Sequence, residues 1–253
     1  MIGQKIIFKD TVDSTNNYAA NLLAQGELAH GTVIMSGQQT AGKGQRGASW
    51  LAEPFKNLIF TCYVVYDNLS VNQRESITHF VSISIVQLLK AHGINAVIKW
   101  PNDILVGSSK IAGILIENQF ENTKCKSSII GIGLNVNQTD FANFNATSMA
   151  NQTGKSNSLE EIAFSLIERL NQNLLLLNQN RLESLKEIYL NHLWLLHQKS
   201  LFEDETGIFE GIIQGTNTFG QLLVLKENNV KTYDLKEISF LERNTSESCE
   251  SCN

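Results

Sequence analysis

Ala96-Val97-Ile98-Lys99-Trp100-Pro101-Asn102-Asp103-Ile104-Leu105-Val106-Gly107-Ser108-Ser109-Lys110-Ile111-Ala112-Gly113-Ile114-Leu115-Ile116-Glu117 is the stretch that decides the fold. Ala96 to Trp100 is apolar and extended, and it runs into Pro101-Asn102-Asp103, a turn. Ile104 to Val106 and Lys110 to Phe120 flank Gly107-Ser108-Ser109, a hairpin signal. Strand follows strand here with no helix between them. A sheet of parallel strands would need a long crossover at each step, so the stretch argues for antiparallel pairing.

Working outward gives the same message. Downstream, Ser127 to Asn137 is a further strand, weakened by Gly131 and Gly133 unless something approaches its backbone. Upstream, Ser70 to Gly93 changes period. Ile77, Phe80, Val81, Ser84, Ile85 and Leu88 form one helical face, and Gly93 ends it. Asn57 to Tyr66, Gly31 to Ser36 and Lys5 to Lys9 read as strands. A helix carries Tyr18, Leu22 and Leu23, with Asp13 or Ser14 as its cap and Gly26 as its stop. Beyond Asn143 to Asn157, a polar loop, come two helices. One has Leu159, Ile162, Leu166, Ile167, Leu170, Leu174 and Leu177 on a stripe, the other Leu182, Leu185, Tyr189, Leu193 and Leu196. Strands then return at Gly207–Gln214, Gln221–Leu225, Val230–Tyr233 and Ile238–Leu241, which suggests a small barrel or sheet. The predicted class is α+β: a mixed, largely antiparallel sheet with helices on one side, then a small all-β domain. The expected division is 1–198, 199–242 and a disordered polar tail at 243–253.

The chain has 253 residues, 42% hydrophobic and 18% charged, which is ordinary for a globular protein. Its net charge of −5 gives no support to nucleic-acid binding through bulk charge. No apolar run reaches the length of a membrane span. Cys62 and Cys125 stand apart, and Cys249 and Cys252 form a C-x-x-C in the tail without the further ligands a zinc site needs. A reducing cytoplasm fits this usage.

Five clusters carry chemistry. Gln38 to Trp50 packs three glycines, Lys43, Arg46, several amides and a tryptophan into a segment too poor in aliphatic residues to be core. Glycine permits close backbone approach, and the cations neutralise phosphate. Gly42-Lys43-Gly44-Gln45-Arg46-Gly47 also matches the dinucleotide fingerprint G-x-G-x-x-G. That fingerprint must open a helix, whereas here a proline and then a strand follow. In Lys99 to Asp103, Pro101 makes a rigid corner from which a carboxylate can hold magnesium or a ribose hydroxyl; an ordinary turn has the same residues. Lys110 can meet a phosphate or carboxylate, or simply be a solvated strand end. Gly131-Ile132-Gly133-Leu134-Asn135-Val136-Asn137 suits backbone contact plus amide hydrogen bonds, or a twisted edge strand. Asp13-Ser14-Thr15-Asn16 offers hydroxyls to a polar ring, or a helix cap.

Taken in order, these clusters resemble the biotin protein ligase family: Asp-Ser-Thr-Asn, then Gln-Thr-Ala-Gly-x-Gly-x-x-Gly with a tryptophan, then Lys-Trp-Pro-Asn-Asp, then Lys-x-x-Gly-Ile-Leu-x-Glu, then Gly-x-Gly-x-Asn-x-Asn. The likeness runs from Asp13 to Asn137, and Gly207 to Leu225 is similar to the family's small C-terminal barrel. The resemblance implies a catalytic fold like that of class II synthetases, followed by an SH3-like β-barrel. It implies a ligase that joins biotin to AMP from ATP and passes it to a lysine of a biotin carboxyl carrier domain. It assigns biotin to Ser14, Thr15, Asn16, Gln39, Gly42, Lys43, Gly44, Gln45, Lys110, Gly113 and Gly131. ATP falls to Arg46, Trp50, Asn102, Asp103, Lys110 and Asn135, magnesium to Asp103, and catalysis to Lys110, Arg46 and Lys43. Family members often read Gly-Arg-Gly-Arg-x-Gly, whereas Lys43 and Gln45 stand here with Arg46 in the variable slot, so Lys43 and Arg46 are expected to share the loop's cationic role. The early Asp13-Ser14-Thr15 implies a short form without the winged-helix domain, with no DNA or membrane partner, cytoplasmic and monomeric or homodimeric. Lipoate or octanoate transfer, and a binding module without turnover, are the alternative readings.

Overall fold

The computed structural model describes residues 1–142 and 144–241, apart from the side chain of Arg46. Cys249, Cys252 and the expected disordered tail lie outside the described residues. The main sheet has seven strands: β1 (Lys5–Val12), β2 (Thr32–Gln39), β3 (Leu58–Ser70), β4 (Val97–Lys99), β5 (Asp103–Val106), β6 (Ser109–Glu121) and β7 (Lys124–Leu134). Their order is β1-β2-β3-β7-β6-β5-β4. Only β1 and β2 pair in parallel, through the crossover that contains α1 (Thr15–Ala24). The hairpins β4–β5, β5–β6 and β6–β7 are antiparallel, as the opening stretch predicts.

Period-2 patterning gives the sheet two unlike faces. Leu58, Phe60, Cys62 and Val64 of β3 join Ile130, Ile132 and Leu134 of β7 in the main core. That face is covered by α2 (Glu75–Ala91), α4 (Leu159–Asn178) and α5 (Leu182–Asn191). The predicted stripe of α2 is buried throughout: Ile77, Phe80, Val81, Ser84, Ile85 and Leu88. Each of the apolar ones contributes about 1.5–3 kcal/mol by leaving water, and the Ser84 hydroxyl is satisfied by Phe80 O. The opposite face carries α1, the exception to the expectation of helices on one side. Ala19, Tyr18, Leu22 and Leu23 pack there on Ile34, Tyr63 and Ile129 in a separate small cluster. The strand residues next to that cluster are Gly113, Gly131 and Gly133. With no side chains there, the sheet is left as a floor for a cleft.

Three local expectations are corrected. The polar loop at 143–157 contains a helix, α3 (Met149–Thr153), capped by Ser148 Oγ and ended by Gly154 at φ +68°. One turn with a single buried residue is too short to show periodicity. The last helix stops at Asn191, and Leu193 and Leu196 lie beyond it. Leu193 instead bridges Ile98 of β4, and Trp194 N donates to Ile98 O. Ser14 stands at the N-cap of α1, but its side chain makes no capping bond.

The second sheet contains β8 (Lys199–Asp204), β9 (Gly207–Thr216), β10 (Leu222–Lys226), β11 (Asn229–Tyr233) and β12 (Ser239–Leu241), in the order β11-β10-β9-β8-β12. It is antiparallel and open, with β11 and β12 as its edges. β8 escapes the sequence reading because its inward residues, Ser200 and Phe202, include a hydroxyl. The two sheets are joined at the Trp-Pro corner, where Trp100 Nε1 donates to Gly220 O at 2.8 Å. Arg74 lies over the Phe219 ring, and Lys99 over the rings of Trp194 and Phe240.

Candidate active site

The floor of the cleft is a network of short polar side chains. Thr15 donates to Gln39 Oε1 through its backbone N (2.8 Å) and its hydroxyl (3.1 Å). The Thr61 hydroxyl lies 2.8 Å from both Thr15 Oγ1 and Asn16 Oδ1. Asn16 Nδ2 donates to Glu117 Oε2 at 2.7 Å. Thr15, Asn16 and Thr61 are all buried, so these bonds satisfy groups that would otherwise be costly to desolvate; Ser14 is buried beside them. Gly131 is required by this arrangement, since a Cβ there would fall 2.4 Å from Asn16 Oδ1.

The glycine loop is a small hairpin above the floor. Gly44 N donates to Ala48 O, Trp50 N to Gly42 O, and Lys43 bridges Ser49. Gln45–Gly47 forms a 3-10 turn, with Gly47 at φ +85°. Lys43 Nζ donates to Asn17 Oδ1. Trp50 lies on the glycines of the sheet. A Cβ on Gly133 would sit 2.3 Å from its ring, and one on Gly113 would sit 3.1 Å away.

Lys110 Nζ is 2.6 Å from Asp103 Oδ1 and 5.6 Å from the centroid of the Trp50 ring. A bulge in the β5–β6 ladder between Ile104 and Leu105 sets Lys110 opposite Leu105, two residues along β5 from Asp103. Asn102 Nδ2 donates to Ile114 O at 2.9 Å, and Ile114 N returns a bond to Asn102 O. Asn135 is buried, and its Nδ2 donates to Thr147 O at 3.0 Å, joining the strand end to the segment before α3.

These groups surround a cleft of about 260 Å³. It is lined by Ser14, Thr15, Asn16, Gln39, Lys43, Gly44, Gln45, Trp50, Asn102, Asp103, Lys110, Gly113 and Gly131 among the expected residues. A second cavity of about 670 Å³ lies beyond Trp50, Lys110 and Gln39, which border both. Gly42 and Asn135 line that second cavity, not the first. The Arg46 side chain lies outside the described residues. Thr61, Gly133 and Glu117 belong to the site without having been assigned a role. Glu117 and Gly133 sit inside motifs that had been singled out, whereas Thr61 carries no sequence signal. Among the described residues, no three His, Cys, Asp or Glu side chains cluster as a metal cage.

The sequence pattern of the biotin/lipoate A/B protein ligase family matches residues 8–135. The bifunctional ligase/repressor BirA of Bacillus spizizenii is 36% identical over 139 residues, covering 54% of this chain and 42% of that protein. The biotin–[acetyl-CoA-carboxylase] ligase of Mycobacterium tuberculosis is 30% identical over 136 residues, covering 51% of this chain and 49% of that protein. The match thus spans about half the length of these curated relatives, or less. In the fold, the chain is similar to the Aquifex aeolicus biotin protein ligase in complex with biotin and ATP, with a TM-score of 0.76 at 25% identity over 93% of this chain and 98% of the other. By the half of its length that carries the site, the chain belongs to the biotin/lipoate A/B protein ligase family.

Proposed function

We propose that the protein is an ATP-dependent ligase that makes biotinyl-5′-AMP and transfers the biotinyl group to a lysine of a biotin carboxyl carrier domain. One observation carries this reading. A neutral set of hydroxyls and amides (Ser14, Thr15, Asn16, Gln39) faces the same cleft as one cation paired with one carboxylate, Lys110 with Asp103. A ureido ring needs hydrogen bonds and no charge; the carboxylate at the far end of biotin needs a countercharge. The names of the relatives and the biotin and ATP bound in the Aquifex structure support the same reading.

The chemistry follows from these groups. A biotin carboxylate oxygen attacks the α-phosphorus of ATP; the new O–P bond forms as the bond to the β-phosphate oxygen breaks, and diphosphate leaves. Carboxylate and phosphate repel each other, and Lys110 offsets that repulsion as a compact point charge. The carrier lysine, as a neutral amine, then attacks the anhydride carbonyl. A C–N bond forms, the C–O bond to phosphate breaks, AMP departs and the amine loses its proton. Trp50 and the glycine loop exclude water from the anhydride in the interval. We assign the cavity beyond Trp50, bordered by Asn135, to the nucleotide. Asp103, with Asn102 beside it, fits magnesium held by one carboxylate and the nucleotide's phosphates rather than by a protein cage. Bound there, the ion would screen phosphate charge. We also assign the protein to the cytoplasm, as a monomer or homodimer, and set the domain boundary between residues 198 and 199, where β8 begins.

Exchange of radiolabelled pyrophosphate into ATP tests the first half-reaction. It is expected to depend on biotin. Exchange driven by lipoic or octanoic acid and not by biotin would assign the protein to the lipoate branch of the family instead.

A further inference from the structure

The two residues that bracket the Ser14-Thr15-Asn16 triplet do not face the cleft. Asp13 and Asn17 lie one helical turn apart, and Asn17 Nδ2 donates to Asp13 Oδ2 at 2.6 Å. The other end of the same amide, Asn17 Oδ1, accepts from Lys43 Nζ. The base of the glycine loop is tied by backbone bonds, Thr40 N to Val12 O and Ala41 N to Asp13 O. Past that point the hairpin bonds of the loop are internal; they shape it without tethering it. Among the described residues, the Lys43–Asn17 contact is therefore a polar tether between the cation-bearing part of the loop and helix α1. We propose that Asp13, Asn17 and Lys43 form a latch that holds the glycine loop against the first turn of α1, so that Asn17 and Asp13 are positioning residues for the lid.

Geometry gives the latch its logic. One turn of helix sends residues 14, 15 and 16 inward to the floor and residues 13 and 17 outward to the lid. Whatever orders that turn orders both. An exposed hydrogen bond adds little to global stability, but opening of a loop is a local equilibrium that a small bias shifts. Asp13 fixes the orientation of the Asn17 amide, and its carboxyl is held below the usual carboxylate range chiefly by that bond, with Lys43 adding a smaller share. Lys43 is thus held by the Asn17 amide on the α1 side of the loop, whereas Lys110 is paired with the Asp103 carboxylate at the cleft.

Cutting after Arg46 by an arginine-specific protease reads loop opening, and the substitutions below leave Lys43 in place. In Asn17→Ala, cleavage there is expected to run roughly three- to tenfold faster than in the parent, with the thermal midpoint unchanged. Asp13→Ala is expected to show a smaller acceleration. Asn17→Asp keeps an acceptor for Lys43 but loses the donor to Asp13 and sets a second carboxylate beside it, so its rate is expected between those of the parent and Asn17→Ala. Cleavage of Asn17→Ala within about twofold of the parent at an unchanged midpoint would overturn the latch. So would Asn17→Asp cutting as fast as Asn17→Ala. Should Asn17→Ala lose stability, the Asp13→Ala rate decides in its place. Coupling of the latch to biotin rests on the proposed function. If biotin fails to slow cleavage of the parent, that coupling falls while the latch stands on its ligand-free rates.

Discussion

Gly131 and Gly133 are glycines because other side chains occupy the space above them. Asn16 claims the volume over Gly131, and the Trp50 ring claims that over Gly133. Gly131→Ala is expected to push Asn16 off Thr61 and Glu117 and to weaken biotin binding roughly ten- to hundredfold, measured by titration calorimetry. Unchanged affinity would mean that Asn16 does not face the ligand. In the proposed mechanism, Lys110→Ala removes the cation that balances carboxylate against phosphate. Pyrophosphate exchange is expected to fall roughly a hundred- to a thousandfold, with a much smaller change in biotin affinity, because the charge matters most where the two anions meet. An equal loss in both would make Lys110 a ground-state binding group only.

At the scale of elements, the corner between β4 and β5 does two tasks. It presents Asn102 and Asp103 to the cleft, and through Trp100 Nε1 it holds Gly220 in the turn between β9 and β10. Trp100→Phe leaves the Gly220 carbonyl without that donor. It is expected to cost about 1 kcal/mol and roughly 2–4 °C in Tm, measured by calorimetry. A second element contact is sensitive to pH. Asp204 at the end of β8 accepts from Lys226 Nζ, Tyr233 OH and Thr206, and its side chain is nearly enclosed. Lys226 first and Thr206 next hold its carboxyl well below the usual carboxylate range. A lowered folded value means that its stabilising contribution is complete above the unfolded pKa of about 3.9 and fades as pH falls below it. Asp204→Asn should therefore be less stable than the parent at pH near 7, with the gap narrowing on acidification, as read from urea midpoints. A gap that stays constant into acid would show that the charge is not the stabilising feature.

For the whole molecule, the strands were legible as short apolar, β-branched and aromatic runs, because β3, β6 and β7 carry continuous buried stretches, and helices α2 and α4 were legible by a period of three to four. The opening stretch showed antiparallel order because its turn residues leave no room for a helix. What was not legible depends on contacts distant in sequence. Leu193 reads as helix until Ile98 captures it, and α3 has one buried residue. Thr61 joins the site only because β3 lies beside β7 and beneath α1. In the site, hydroxyls, amides and glycines were readable as clusters. The bond network among them, and the division of the space into two cavities by Trp50, were not, since both depend on which face each strand turns toward α1. The central claim is that this cleft activates biotin with ATP and delivers it to a carrier lysine. The most direct measurement is the mass of a biotin carboxyl carrier domain after incubation with the protein, biotin and ATP. The account predicts gain of one biotinyl group, lost when ATP is omitted or when Lys110 is alanine. A carrier of unchanged mass, with biotinyl-adenylate retained by the protein or never formed, would contradict it.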